Sequence, residues 1–172
     1  MARRLSYFLR HNPPCPMDPC GWVNVNELMP FLGKNVGIED LRQWVIEDNK
    51  GRFILDESSE QVRVRACQGH SIQLETPILS PLSVSDAAFV FHGTTASAWE
   101  MIQSDGYLLP MNRVHVHFAL CPERARSGRP ILLILDVAKA IAAGVPLLLS
   151  TNSVVLCPER VPVSMLRFSL RA

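Results

Sequence analysis

The sequence predicts an α+β protein with a winged-helix-like N-terminal lobe followed by a β-rich C-terminal lobe. Three observations carry this: apolar residues at helical spacing in three stretches before residue 50, a switch to period two after residue 52, and repeated short β runs beyond residue 86. The 172 residues allow one ordinary domain or two small ones. Hydrophobic residues make up 48% and charged residues 19%, so there is material for a core and no compositional mark of disorder.

Leu5, Phe8 and Leu9 define one face of a short helix, which Asn12-Pro13 stops because a residue before proline is pushed out of the α region. Arg10 and His11 sit at its C-terminal end. A second helix is expected at Val25–Leu32 and a third from Ile38 to Asp48, with Ile38, Leu41, Trp44 and Val45 turned inward. Arg52–Leu55 and Val62–Ala66 flank the polar turn Glu57-Ser58-Ser59-Glu60 and read as a hairpin, with Arg63 and Arg65 on the face opposite Val62, Val64 and Ala66. Three helices and a hairpin make the winged-helix-like lobe, residues 1–72. Residues 73–85, containing Pro77, Pro81, Ser80, Ser83 and Ser85, read as a linker to a lobe at 86–172.

In that second lobe Ala88–Phe91 is a strand leading into a His92-Gly93-Thr94 turn. A helix follows over Thr95–Ser104, closed by Asp105-Gly106. Arg113–Phe118 alternates strictly, and further strands fit Ile131–Leu135, Leu147–Leu149, Val154–Leu156 and Met165–Leu170.

The net charge is +1, with 9 basic against 11 acidic residues in 1–86 and 8 against 5 in 87–172. Bulk charge therefore does not make a nucleic-acid binder, and any polyanion must be met by a local cluster. Of the 17 basic residues 14 are Arg; this is the fork that fits phosphate oxygens in pairs, and equally a mark of GC-rich codon usage. The third helix carries Glu39, Asp40, Glu47 and Asp48 against Arg42, which argues against a non-catalytic module reading duplex DNA. Five cysteines without a C-x-x-C pair indicate neither a zinc ribbon nor a disulfide framework, so a reducing compartment, cytoplasm or nucleus, is expected. The longest apolar run, Ala140 to Leu149, is broken by Gly144 and Pro146 and falls short of the ~20 residues of a spanning helix, so no membrane is expected. The first 17 residues, with three Arg and no acid, also have the composition of a presequence.

Period two over Arg113–Phe118 places Arg113, His115 and His117 on one face and Val114, Val116 and Phe118 on the other. A cation and two imidazoles in a row mark a candidate site, where a solvated face more often carries Lys, Glu, Thr or Ser. His115 and His117 have the spacing of two strand ligands, but no carboxylate or Cys motif completes a set, and no metal is expected. The glycines form neither a dinucleotide fingerprint nor a phosphate-binding P-loop. Arg10 and His11 end a helix where the dipole favours positive charge, and together they can grip a phosphate dianion; the plainer reading is that they cap the helix.

Six stretches, Leu5-Ser-Tyr-Phe-Leu-Arg-His11, Gly21-Trp22-Val23, Lys50-Gly-Arg-Phe53, Arg65-Ala-Cys-Gln-Gly-His-Ser71, Phe91-His-Gly-Thr94 and Met111-Asn-Arg-Val-His-Val-His-Phe118, resemble in order and spacing the RNA 2′-phosphotransferase family. These are NAD-dependent enzymes that remove the splice-junction 2′-phosphate from tRNA. The resemblance implies an ADP-ribosyltransferase-like NAD-binding fold for the second lobe and a catalytic tetrad of Arg10, His11, Arg52 and Arg113. It implies NAD contacts at His92, Gly93, Thr94, His117, Asn152 and Val154, and substrate contacts at Gln68, His70 and Ser71 besides Arg10, His11 and Arg52.

The implied chemistry has two steps. The 2′-phosphate attacks the nicotinamide-bearing ribose carbon of NAD and expels nicotinamide; the ribose 2″-hydroxyl then attacks phosphorus, leaving 2′-hydroxyl RNA and ADP-ribose 1″,2″-cyclic phosphate. NAD is thus a consumed co-substrate, no metal takes part, and the partner is RNA with an internal 2′-phosphate, acted on by a monomer. The alternatives are an ADP-ribosyltransferase that caps terminal phosphates and the non-catalytic winged helix weighed above. One departure stands out: where the family has Arg-Ser-x-Asn-Gly-Val this chain has Leu149-Ser150-Thr151-Asn152-Ser153-Val154. A positive φ at Ser153 costs more than at glycine, which puts that turn in doubt.

Overall fold

The computed structural model describes residues 2–171, and the chain divides into two compact units between Ile78 and Leu79. The architecture is α+β. The first unit runs α1 (Ala2–Arg10), β1 (Val23–Asn24), α2 (Val25–Leu32), α3 (Ile38–Ile46), β2 (Phe53–Asp56) and β3 (Arg63–Ala66). Its strands form an antiparallel sheet in the order β1-β3-β2, with Val23 opposite Val64 and Phe53 opposite Ala66. Leu5 and Leu9 of α1, Leu28 of α2 and Leu41 of α3 pack with Phe53 and Val64 of the sheet into one core. At the start of α2, the Asn24 side chain accepts a 2.9 Å hydrogen bond from Asn26 N–H, satisfying a donor that the helix leaves open.

One detail of this unit differs from the sequence expectation and another adds to it. The third helix stops at Ile46 instead of Asp48, because Asp48 turns back onto Arg52. Arg63 and Arg65 do share one face, and that face is covered: Arg65 is 3% exposed, with its guanidinium 5.1 Å from the Trp22 ring centroid and that of Arg63 at 5.2 Å. A flat, delocalised cation can be buried against an aromatic face, so the period-two pattern of basic residues did not mean a solvated side.

The second unit contains β4 (Leu79–Pro81), β5 (Phe89–Thr94), α4 (Ala96–Asp105), β6 (Tyr107–Leu108), β7 (Val116–Ala119), β8 (Ile131–Asp136), α5 (Val137–Ala142), β9 (Leu148–Ser150), β10 (Val154–Cys157), β11 (Val161–Pro162) and β12 (Leu166–Leu170). A seven-stranded sheet has the order β12-β8-β5-β7-β10-β9-β4, and β6 pairs separately with β11. Every pairing is antiparallel. β5 and β7 share a single register pair, Phe91 with Ala119, so the sheet opens there into a three-stranded and a four-stranded part. Val90, Phe118, Leu133, Leu135 and Val155 form the centre of its core.

Three expectations are corrected here. His92-Gly93-Thr94 is the end of β5 and not a turn, since all three residues pair with Leu133, Leu132 and Ile131 of β8. The alternating stretch from Arg113 becomes a strand only at Val116; Arg113 N–H donates to Pro110 O at 3.3 Å and Met111 has φ +58°, so the chain is still turning at 111–115. Part of the stretch read as linker joins the sheet, with Leu79 opposite Ser150. Pro81 is tolerated there because β4 is an edge strand.

Candidate functional site

Six of the residues singled out in the sequence lie in the first unit, and the structure gathers them at the C-terminal end of α1. Ser71 N–H donates to the Arg10 carbonyl at 2.9 Å, and Ser71 Oγ lies 2.9 Å from His11 Nδ1, so the loop after β3 is tied to the helix end at two points. Gly69 makes the approach possible: its φ is +87°, and a Cβ there would lie 3.4 Å from the Arg10 guanidinium carbon. Arg10 is only 7% exposed and its Nη1 donates to Ser6 Oγ at 3.2 Å. Gln68 is half-buried and His70 buried in the same loop.

Arg52 enters just before β2. Its guanidinium carbon and that of Arg10 lie 5.7 and 5.8 Å from the Phe53 ring centroid. The Asp48 carboxylate holds Arg52 from the other side, with Oδ1 accepting from Nε at 2.7 Å. Burial pushes the Asp48 carboxyl up, but hydrogen bonds and charge from Arg52 outweigh it and hold its pKa below the usual carboxylate value. Two guanidiniums set around the Phe53 ring, with one carboxylate fixed on Arg52 and the His11 imidazole at the end of α1 next to Arg10, can bind a small dianion in a fixed orientation. Asp48 and Phe53 were missed as site residues: periodicity assigned one to a helix end and the other to the core.

The second unit carries the remaining candidates. His92 Nδ1–H donates to the His117 carbonyl at 2.8 Å, spanning β5 and β7 where the sheet opens, and its ring meets Phe118 edge-on at 6.0 Å. Burial lowers the His92 pKa; the His117 carbonyl works against this and the charge of Arg126 adds to it. The neutral ring therefore keeps its proton on Nδ1 and offers Nε2 as an acceptor. His117 Nδ1–H donates in turn to the His115 carbonyl at 2.9 Å. Arg113 remains exposed overall, yet the protein packed around its guanidinium, together with Arg126, lowers its pKa. Neither Arg113 nor Arg126 forms an ion pair among the described residues.

Gly93 is buried, and a Cβ there would fall 2.9 Å from the Arg126 carbonyl oxygen. The close approach that this glycine permits is thus made by the protein's own backbone, and Thr94 beside it is 6% exposed. At the start of β10 the doubtful turn is formed after all. Ser153 has φ +61°, and the buried Ser150 hydroxyl accepts from Val154 N–H at 3.0 Å and lies 2.9 Å from both Asn152 Oδ1 and Val154 O. β10 pairs with β7, Val154 opposite Ala119 and Leu156 opposite His117, so the Asn152–Val154 turn sits at one end of the strand pair that carries His117. Among the described residues no group of three or more His, Cys, Asp or Glu is placed to hold a metal ion, and no helix is long and apolar enough to cross a membrane.

Residues 1–159 match the family described as "RNA 2'-phosphotransferase, Tpt1 / KptA family". The chain is 35% identical over 182 aligned positions to "Probable RNA 2'-phosphotransferase" of Burkholderia pseudomallei (strain K96243), covering 97% of this chain and 93% of that protein. It is 32% identical to the protein of the same name from Fusobacterium nucleatum, covering 98% and 97%, and 35% identical to that of Streptomyces coelicolor, covering 98% and 93%.

Proposed function

Because the chain belongs to the RNA 2′-phosphotransferase family, we propose that it removes an internal 2′-phosphate from RNA, with NAD as the consumed co-substrate and ADP-ribose 1″,2″-cyclic phosphate as the second product. The observation that carries this reading is the pair of guanidiniums, Arg10 and Arg52, around Phe53, with His11 following Arg10 and tied to Ser71. A phosphate monoester carries about −1.5 to −2 charges near neutral pH, which distinguishes it from the single charge of a backbone phosphodiester. Charge-assisted hydrogen bonds to it contribute roughly 1.5–3 kcal/mol each. In this reading Arg10, His11 and Arg52 hold the 2′-phosphate, Ser71 fixes the His11 ring, and Gln68 and His70 shape the loop beside them.

NAD, when bound, supplies the ribose carbon that takes the phosphate off the RNA. The second unit has the groups to hold it. His92 Nε2 is an acceptor suited to a ribose hydroxyl, and the Arg113/Arg126 pair, without an acid to neutralise it, is suited to phosphate oxygens. We place His117, Asn152 and Val154 in the same binding surface, with Gly93 and Thr94 buried in the strand that carries His92. Arg113 is assigned to the charge that builds on the phosphoryl oxygens, where a donor that tightens late lowers the barrier instead of merely binding. The opening of the sheet between β5 and β7 supports an ADP-ribosyltransferase-like reading of this unit. The order α1-β1-α2-α3-β2-β3 supports a winged-helix-like reading of the first. The natural RNA is read as tRNA with a splice-junction phosphate, met by a monomer in a reducing compartment.

The test is binding of a short RNA with and without an internal 2′-phosphate. Arg10→Ala is expected to abolish the preference for the phosphorylated RNA while leaving weak, salt-sensitive binding to both. Equal preference before and after the substitution overturns the phosphate-site reading.

A further inference from the structure

Asp48 lies outside every motif on which the family resemblance rests, yet it holds a candidate catalytic residue, Arg52, through both carboxylate oxygens. Its Oδ1 accepts from Arg52 Nε and lies 2.7 Å from Nη2, and its Oδ2 accepts the Arg52 backbone N–H. A backbone hydrogen bond from Lys50 completes the turn. The Asp48 side chain is 2% exposed, while that of Arg52 is 37% exposed. A buried carboxylate is costly to keep unless it is paired and hydrogen-bonded, so this arrangement locks both partners.

We propose that Asp48 is a positioning residue that turns one edge of the Arg52 guanidinium into the protein and presents the other to the 2′-phosphate; this rests on the phosphate-binding reading of Arg52 above. A guanidinium has five N–H groups in a rigid fork. With the Nε/Nη2 edge on Asp48 and the guanidinium carbon 5.7 Å from the Phe53 ring centroid, the end-on Nη1/Nη2 pair is the part that meets two phosphate oxygens at once. Asp48 also removes one unit of positive charge from the cluster. Selection of the phosphate then depends on where the donors point and less on bulk attraction for RNA.

The two effects have opposite signs, which makes the proposal testable in the full chain. Asp48→Asn adds a positive charge to the cluster but loses the two-point ion pair. Binding of plain RNA should be unchanged or tighter, while the preference for 2′-phosphorylated RNA over plain RNA falls by about tenfold, the scale of one lost charge-assisted hydrogen bond. In an Arg52→Ala background Asp48→Asn should cause no further loss of preference. A wild-type preference in Asp48→Asn, with the preference lost in Arg52→Ala, overturns the positioning role alone. A wild-type preference in Arg52→Ala overturns the phosphate reading of Arg52 and this proposal with it. A second measurement needs no variant: in the wild-type protein the Arg52 Nε–H resonance should stay protected from exchange when 2′-phosphorylated RNA is added. Loss of that protection on binding shows that Arg52 leaves Asp48, and overturns the proposal.

Discussion

Arg10 and Arg52 both lie against the ring of Phe53, with guanidinium carbons 5.8 and 5.7 Å from its centroid. They arrive from different elements, one from the last turn of α1 and the other from the residue before β2. The negative face potential of the ring offsets part of the repulsion between the two cations, so both can be held ready without a ligand.

Phe53→Leu should therefore do two things. Removing part of a 4% exposed core ring costs about 1–2 kcal/mol of stability, read from a denaturant midpoint. Affinity for 2′-phosphorylated RNA should fall as well, because both guanidiniums lose their support. Leu28→Ala, a core truncation on α2, serves as the control: it should lower stability by at least as much and leave the phosphate preference intact. Equal preference in both variants contradicts the role of the ring.

Ser153 holds φ +61°, a left-handed conformation that costs a non-glycine residue on the order of 1 kcal/mol. Ser153→Gly relieves this and adds some unfolded-state entropy, so the expected net gain is about 0.5 kcal/mol in a denaturant unfolding experiment. A destabilised Ser153→Gly protein would mean that the Ser150 network, and not the backbone conformation, dominates this turn.

The second unit should lose stability as pH falls below about 6.5. The His92 and His115 pKa values are both lowered from the ordinary histidine value, mainly by burial. The unfolded chain then binds protons that the folded unit resists, so the stability present above pH 6.5 is lost as pH falls toward the folded values. The lowered carboxylates of this unit, Asp86 and Glu123, do not interfere, because their contribution is lost only in acid below the usual carboxylate value. Hydrogen exchange of the Val90 and Leu133 amides between pH 7.5 and 5.5 reads the effect, and His92→Asn should flatten it. Protection that rises as pH falls contradicts a neutral His92.

Most of the first unit was legible in the sequence because its apolar residues follow helical spacing with clear stops. Val25–Leu32 matched to the residue, and Asn12-Pro13 ended α1 where steric exclusion says it must. Pairs of two-residue strands such as β6 with β11 were not legible, since two residues have no period to read. α5 was missed because its six residues follow directly from β8, with Asp136 serving as both the strand end and the N-cap that accepts from Lys139 N–H. In the candidate site the basic residues were found by type and order. Their supports were not: Asp48 reaches Arg52 across a turn that breaks the helical period, and Phe53 meets Arg10 through a contact distant in sequence. The row Arg113, His115, His117 was read as one strand face, whereas only His117 is on a strand; the turn at 110–113 delays the pairing.

The central claim is tested most directly by incubating the protein with an internally 2′-phosphorylated RNA and NAD, and analysing the RNA and the small-molecule products together. The account predicts 2′-hydroxyl RNA, free nicotinamide and ADP-ribose 1″,2″-cyclic phosphate in equal amounts. Unchanged RNA with NAD intact contradicts it, and so does an ADP-ribosylated RNA that persists without cyclic phosphate, which would make the protein a capping ADP-ribosyltransferase.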